Sequence, residues 1–346
     1  MIPSRCRKTI VSVVLLIVAT CIGACSTYSY DAVTPTVRMG GDHYQVIQTG
    51  SFYPESVKYN KRTGRHILSS VRYGGIYTVE ENGAYQQLVS DDRLIGSIGI
   101  QINEQRDRLY VVNSDLGVSV RKSSAGTNRL ASLGIYELSS GNQIDMINLG
   151  DPRPNGEPHF TNDPALDDEG NVYITDSLAP VIYKVDTQGN ASVFLEDADR
   201  LVGEGFSLNG IAYHPDGYFI VAKKNEGILF KVPLANPSLQ KIEMQNTYLG
   251  ADGVVLVNEN ELVLIANRVA GKATDGAIAI MTNDGWKTAQ ATGEYLFTDD
   301  EYPTTGVLKD GKVFILHSRI NTLLGGKSEM IEHTEKAVLQ QVGTVE

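Results

Sequence analysis

The chain has 346 residues, 42% hydrophobic and 21% charged, which is long and apolar enough to bury a sizeable core and excludes a disordered chain. A net charge of -11 and a pI near 5.1 argue against a nucleic-acid partner, because phosphate binding needs clustered Lys and Arg. The cysteines are Cys6, Cys21 and Cys25, so the chain beyond them has no disulfide, cysteine-ligated metal or cysteine nucleophile.

The first residues have the pattern of a bacterial secretion signal. Arg5, Arg7 and Lys8 form a positive region, and residues 10–22 form an apolar stretch that is short for a membrane span. The stretch ends in Ile22-Gly23-Ala24-Cys25, which resembles the lipobox, in which small residues precede a cysteine that becomes lipidated.

We therefore predict a lipoprotein signal peptide over residues 1–24, a lipid anchor on Cys25 and a tether over residues 25–41. Ser26, rather than an aspartate, favours the outer membrane of the cell envelope by the usual bacterial sorting rule. An ordinary secretory signal cleaved after Ala24 is the alternative, and it would make the protein secreted or periplasmic.

Residues 207–232 show one structural unit in miniature. The turn signals Asn209-Gly210 and His214-Pro215-Asp216-Gly217 alternate with three short apolar strands. Short strands separated by such turns are typical of an all-β meander.

The unit recurs along the chain with a period of roughly 43–63 residues, near that of propeller blades. Its turns lie at residues 60–64, 103–107, 167–170, 214–217, 257–260 and 309–311. No stretch beyond the signal has a sustained helical period. We predict an all-β fold, a six-bladed β-propeller over residues 42–346, whose last blade is closed by the strand at 43–49. Five or seven blades stay open, because the second unit is long and the last is irregular.

One residue per blade begins the innermost strand and is predicted to lie at the mouth of the central channel. The aligned positions are Glu55, Ile98, Asn162, Asn209, Asp252 and Thr304 or Thr305. Two carboxylates and two carboxamides around one axis are oxygen ligands that a hard cation such as Ca²⁺ or Mg²⁺ prefers. Asn-Gly, Asp-Gly and Asn-Asp are also ordinary turn dipeptides, but that interpretation leaves Glu55 and the shared register unexplained.

Four motifs in this order, Pro54-Glu55-Ser56, Asn162-Asp163, Leu208-Asn209-Gly210-Ile211 and Ala251-Asp252-Gly253, resemble the gluconolactonase/senescence-marker-protein (regucalcin) family. The similarity extends over nearly all of residues 43–335. It is greatest to the branch described as calcium-dependent phosphotriesterase-like. The resemblance implies a six-bladed propeller that holds one divalent cation at its channel.

The resemblance also implies roles for individual residues. Glu55, Asn209 and Asp252 would bind the cation, with Asn162 contacting the cation or the substrate. The cation would be Ca²⁺ first, with Mg²⁺, Mn²⁺ or Zn²⁺ as alternatives. The implied reaction is hydrolysis of a lactone or other ester, with Asp252 as general base.

One position departs from the sugar-lactone members of the family. They carry an arginine two residues before the channel asparagine, and this chain has Phe160 there, beside His159. An aromatic ring cannot hydrogen-bond sugar hydroxyls, so an ester or lactone with a more apolar body is expected. His159 and Phe160 are thus predicted to bind substrate, although a structural role is the commoner one for a lone histidine.

Two other classes of function stay open. A binding propeller with a structural cation could use the long segment at 114–132, which carries Arg121, Lys122 and Arg129, as a partner surface. A metal-free propeller similar to strictosidine synthase is disfavoured by the acidic residues Glu55 and Asp252.

A closed ring has no open sheet edge, so a monomer is expected.

Overall fold

Short antiparallel strands dominate the structure, as the turn signals predict. The computed structural model describes residues 34–41, 43–150, 157–268, 275–297, 302–325 and 336–346. In these residues the only helix is one of five residues, and no helix has the length and hydropathy needed to span a membrane.

The strands group into six sheets. Before the first sheet lie β1 (Val37–Met39) and β2 (Tyr44–Ile47). Blade 1 contains β3 (Val57–Asn60), β4 (Arg65–Ser69), β5 (Ile76–Val79) and β6 (Tyr85–Val89). Blade 2 contains β7 (Gly96–Asn103), β8 (Arg108–Ser114), β9 (Ala131–Glu137) and β10 (Gln143–Asn148). Blade 3 contains β11 (Thr161–Leu166), β12 (Val172–Asp176), β13 (Val181–Val185) and β14 (Ala191–Glu196).

The second half of the chain repeats the arrangement. Blade 4 contains β15 (Leu208–His214), β16 (Tyr218–Lys223), β17 (Ile228–Pro233) and β18 (Gln240–Lys241). A two-residue strand, β19 (Glu243–Met244), then crosses to the outer edge of the next sheet. Blade 5 contains β20 (Ala251–Asn258), β21 (Glu261–Ala266), β22 (Gly276–Met281) and β23 (Thr288–Leu296). Blade 6 contains β24 (Pro303–Lys309), β25 (Lys312–His317), the helix α1 (Ile320–Leu324) and β26 (Ala337–Val345).

The innermost strands form a closed ring. Each of β3, β7, β11, β15, β20 and β24 contacts the next, and β24 contacts β3 again. Six apolar clusters lie between adjacent blades, one for each pair; Leu229, Leu264 and Trp286, for example, pack between blades 4 and 5. The prediction of a six-bladed β-propeller is confirmed.

The N-terminal segment closes the ring by pairing with β26. Strand β2 pairs through Tyr44↔Gln340 and Ile47↔Ala337, which confirms the prediction for residues 43–49. Strand β1 also pairs with β26, although Val37–Met39 belongs to the segment predicted as a tether. A three-residue strand is too short to show an alternating pattern, so only the pairing with β26 reveals it.

A buried carboxylate holds the start of β1 against blade 5. Glu261 accepts hydrogen bonds from the backbone nitrogen of Thr36 at 2.8 Å, from that of Val37 at 3.3 Å and from Nδ2 of Asn258 at 3.0 Å. The side chain is 1% exposed. The N-terminal strand is thus fixed by a charge-assisted contact as well as by pairing.

We expect Glu261→Gln to lower the free energy of unfolding by about 2 kcal/mol, because bonds to a charged acceptor are stronger than bonds to an amide. Urea unfolding followed by tryptophan fluorescence measures the change. Glu259→Gln, an exposed position two residues earlier, is the matched control. Equal unfolding midpoints for the Glu261 variant and the unchanged protein would contradict the proposed role of this contact.

Candidate functional site

Three of the polar residues predicted at the channel mouth lie inside innermost strands and not in turns, and Glu55 lies two residues before β3. Asn162, Asn209 and Asp252 each sit in β11, β15 or β20 where the pairing register shifts, so each lies at a β-bulge. A bulge leaves a residue unpaired and re-aims its side chain. The interpretation of Asn209-Gly210 as a turn signal is therefore wrong.

The glycines that follow Asn209 and Asp252 are required because neighbouring blades approach closely there. A Cβ atom on Gly210 would lie 2.2 Å from the carbonyl oxygen of Asp252, and one on Gly253 would lie 2.7 Å from Cα of Thr305. No side chain fits there. Asn-Gly and Asp-Gly thus mark close contacts between neighbouring inner strands.

All four predicted oxygen ligands line one pocket at the channel mouth. Its polar floor contains Glu55, Asn162, Asn209, Asp252, Lys224 and Thr304. Its wall is largely apolar, with one phenol hydroxyl, and consists of Leu116, Phe160, Phe206, Tyr302, Ile320 and Leu324. The pocket has about 360 Å³ of empty space, including the part open to solvent. Ile98, the remaining predicted position, packs in the apolar cluster beside the mouth and does not line the pocket.

Two oxygen atoms on this floor have no hydrogen-bond donor among the described residues. One is Oδ1 of Asn162, a residue that is 2% exposed, and the other is Oδ1 of Asp252, a residue that is 4% exposed. Nδ2 of Asn162 donates to Oγ of Ser177 at 2.9 Å, which leaves its oxygen as the free atom. Buried acceptors without a donor are rare and indicate a missing partner.

Lys224 is the charged residue of the site that the sequence pattern did not reveal. Its Nζ lies 2.5 Å from Oδ2 of Asp252 and 2.5 Å from Oδ1 of Asn267, and both ion-pair side chains are 6% exposed. Nδ2 of Asn267 donates to the same Oδ2. Two donors therefore hold one oxygen of Asp252. The other forms no hydrogen bond in the structure, although the side chain of Asn209 lies close enough to lower the pKa of this carboxyl group.

Burial and mutual repulsion shape the charges of the carboxyl groups. Burial, and then the charges of Asp252 and Asp163, raise the pKa of Glu55 well above its ordinary value. Burial also raises the pKa of Asp252, against the opposing effect of Lys224. Burial raises the pKa of Asp163, next to Asn162, to about 6. The floor is thus short of positive charge even with Lys224 present.

The structure separates the two predicted substrate-binding residues. Phe160 lines the pocket and contacts Phe206, with 5.1 Å between ring centroids. His159 does not line it: its Nδ1 lies 2.9 Å from Oδ2 of Asp176 and 3.2 Å from the hydroxyl of Tyr183. The strand β12 supplies this carboxylate, so the histidine is held in a structural cluster behind the wall.

Part of the long segment at 114–132 contributes to the pocket. The carboxylate of Asp115 accepts bonds from the backbone nitrogens of Gly117 at 2.7 Å and Ser123 at 2.8 Å, and Leu116 contributes to the wall. Arg121, predicted as part of a partner surface, donates to the carbonyl of Leu94 at 2.9 Å. This segment therefore shapes the site.

The solved structures most useful for comparison share the fold over almost their whole length. The Malassezia sympodialis allergen Mala s 1 has a TM-score of 0.68 at 16% identity, covering 88% of this chain and 96% of the allergen. A gluconolactonase from Xanthomonas campestris has a TM-score of 0.59 at 13% identity, covering 88% of this chain and 91% of the enzyme. The fold is one that gluconolactonases share.

Virginiamycin B lyase from Staphylococcus aureus is also similar, with a TM-score of 0.54 at 10% identity, covering 88% of this chain and 99% of the lyase. No protein-family model matches the chain, and neither does any curated protein. The predicted resemblance to gluconolactonases is confirmed for the fold, and identities this low extend it no further. The assignment of a cation to Glu55, Asn162, Asn209 and Asp252 stays a prediction, as does catalysis by Asp252.

Three predictions concern residues outside the described ranges or depend on them. Cys25, the predicted lipid attachment site, lies outside the described residues. The signal peptide, the lipid anchor and the envelope location therefore stay predictions.

Proposed function

We propose that the pocket at the channel mouth binds one divalent cation, Ca²⁺ in the first place, and hydrolyses a small lactone or ester with a largely apolar body. The observation that supports this most is the pair of buried, unpartnered oxygens of Asn162 and Asp252. They lie in one pocket with Glu55 and Asn209, so the donor set is oxygen throughout.

The residues present fit such a cation. Glu55, Asn162, Asn209 and Asp252 would hold it, with two carboxylates and two amides. No group of three or more His, Cys, Asp or Glu side chains suited to a metal occurs in the described residues, so the amides are needed as ligands. When bound, the cation would supply polarisation of the substrate carbonyl.

The chain's own residues would provide the rest of the chemistry. Asp252 would accept the proton of an attacking water, a role that a carboxylate on the cation fills when the water lies beside it. Leu116, Phe160 and Phe206 on the wall would exclude bulk water and contact the apolar body of the substrate. None of these three side chains can hydrogen-bond the hydroxyls of a sugar lactone.

Two measurements on chelator-stripped protein test the proposal. Calorimetry should show Ca²⁺ binding that Asn162→Leu weakens at least about tenfold, because one neutral ligand is lost. A δ-lactone with an alkyl substituent should be hydrolysed faster than a polyhydroxy δ-lactone, since the two share the reacting group and differ only in the body.

The outcomes separate the classes of function. Cation binding without hydrolysis of any lactone or ester would favour the binding propeller with a structural cation. Absence of binding by Ca²⁺, Mg²⁺, Mn²⁺ and Zn²⁺ would contradict the proposed site. Faster hydrolysis of the polyhydroxy lactone would contradict the proposed substrate class.

A further inference from the structure

The position of Lys224 in its blade is occupied by a small residue in most other blades. Leu208, the residue just before the channel residue Asn209, pairs with the residue that precedes Lys224. The same position holds Ser114 in blade 2, Ser177 in blade 3, Asn267 in blade 5 and Ser318 in blade 6.

In three of these blades the side chain joins neighbouring blades. Oγ of Ser114 donates to the carbonyl of Thr161 at 3.0 Å, Oγ of Ser177 donates to that of Leu208, and Nδ2 of Asn267 donates to that of Pro303 at 2.9 Å. Each acceptor is the residue just before the channel position of the next blade. A small polar residue therefore suffices to join the blades here.

Lys224 instead extends past this junction into the pocket. Its ammonium contacts the side chain of the next channel residue, Asp252, at 2.5 Å, and it lines the pocket floor. A positive charge of the chain itself thus faces the carboxylates assigned to the cation.

We propose that Lys224 is a built-in counter-ion that competes with the divalent cation for the charge of Asp252, and so sets the affinity of the site for that cation. This inference rests on the cation part of the proposed function. Affinity for Ca²⁺ in oxygen sites follows the summed negative charge of the ligands. Because its ammonium contacts Asp252, Lys224 reduces the summed negative charge of the ligands by one unit.

The test compares calorimetric Ca²⁺ binding in four chelator-stripped proteins: unchanged, Lys224→Ser, Lys224→Met and Lys223→Met. Serine is the residue that three other blades carry, and methionine keeps the length without the charge. Both Lys224 variants should bind Ca²⁺ at least about tenfold more tightly than the unchanged protein. Their melting temperatures should be lower in chelator and rise more on adding Ca²⁺.

Lys223→Met is the matched control for removing a buried lysine. Lys223 is 2% exposed, and its Nζ donates to the carbonyl of Arg200 at 2.7 Å and contacts Glu226, away from the pocket. This variant should leave Ca²⁺ affinity unchanged. A gain in affinity equal to that of the Lys224 variants would overturn the inference.

The remaining outcomes separate the inference from the proposed function. Ca²⁺ binding only in the Lys224 variants would support the competition. Equal binding in all four proteins would leave the proposed cation site standing and overturn the role of Lys224. Weaker binding in both Lys224 variants would overturn it too, because the lysine would then position Asp252. No binding in any protein would overturn both.

Discussion

Replacing Asp252 by asparagine should lower the turnover of the lactone or ester substrate by about a thousandfold, within the range for loss of a general base. Asparagine keeps the size of the side chain and cannot accept a proton. The measurement is kcat under saturating Ca²⁺, together with the Ca²⁺ dissociation constant. Asp163→Asn is the matched control, because Asp163 is also a buried carboxylate in β11 and does not line the pocket.

Loss of folding must be distinguished from loss of chemistry in this variant. Asp252→Asn leaves the ammonium of Lys224 buried without its carboxylate, which is expected to cost about 3–5 kcal/mol of stability. The double variant Asp252→Asn/Lys224→Met removes both charges and should recover much of that loss. A folded double variant with less than a hundredth of the original kcat supports the role of Asp252. Retention of a tenth or more of kcat by Asp252→Asn would contradict it.

The stability of the propeller should fall as the pH is lowered from about 6.5 to about 4, because His66 must stay neutral in the folded state. His66 lies in β4, is 2% exposed, and neither ring nitrogen has a hydrogen-bond partner among the described residues. Burial, and then the charge of Lys309, lower the pKa of His66 to about 4.

The sign and size follow from linkage. The unfolded chain takes up a proton near pH 6.5, whereas the folded protein resists it until about pH 4, so protonation favours unfolding in this window. The whole contribution is about 3 kcal/mol. Since Glu55 and Asp163 have raised pKa values and act in the opposite direction, the difference between proteins is the informative quantity.

Between pH 7 and pH 4, the free energy of unfolding of His66→Met should therefore rise by about 3 kcal/mol relative to that of the unchanged protein. Urea unfolding at pH 7, 6, 5 and 4 measures this difference. His43→Met, at an exposed position, is the control and should leave the pH dependence as it is. Parallel pH profiles of the His66 variant and the unchanged protein would show that His66 does not carry the effect.

The blades could be predicted from the sequence because their signals are local. Turns such as residues 214–217 combine proline and glycine, and the flanking apolar strands are short, so each hairpin is visible within about 20 residues. The repeat then brought Glu55, Asn162, Asn209 and Asp252 into one register. The structure places all four in the same pocket.

Asn209-Gly210 shows where local reasoning fails. The dipeptide has the composition of a turn, yet β15 runs through it with a bulge. Glycine is needed there because the carbonyl of Asp252 in the next blade lies where a Cβ would be. That approach joins residues about 40 positions apart, and no pattern within one unit contains it.

The amino-acid sequence by itself determined the repeat, the propeller architecture and the ring of polar residues at the channel mouth, since turn chemistry and strand length act between near neighbours. The structure fixed the number of blades at six. Only the tertiary structure decided that Lys224 contacts Asp252 and that His159 contacts Asp176 outside the pocket. The partner of a long side chain depends on which residues lie near it in space, and these are often distant in sequence. The charge of the site therefore depends on how neighbouring blades pack.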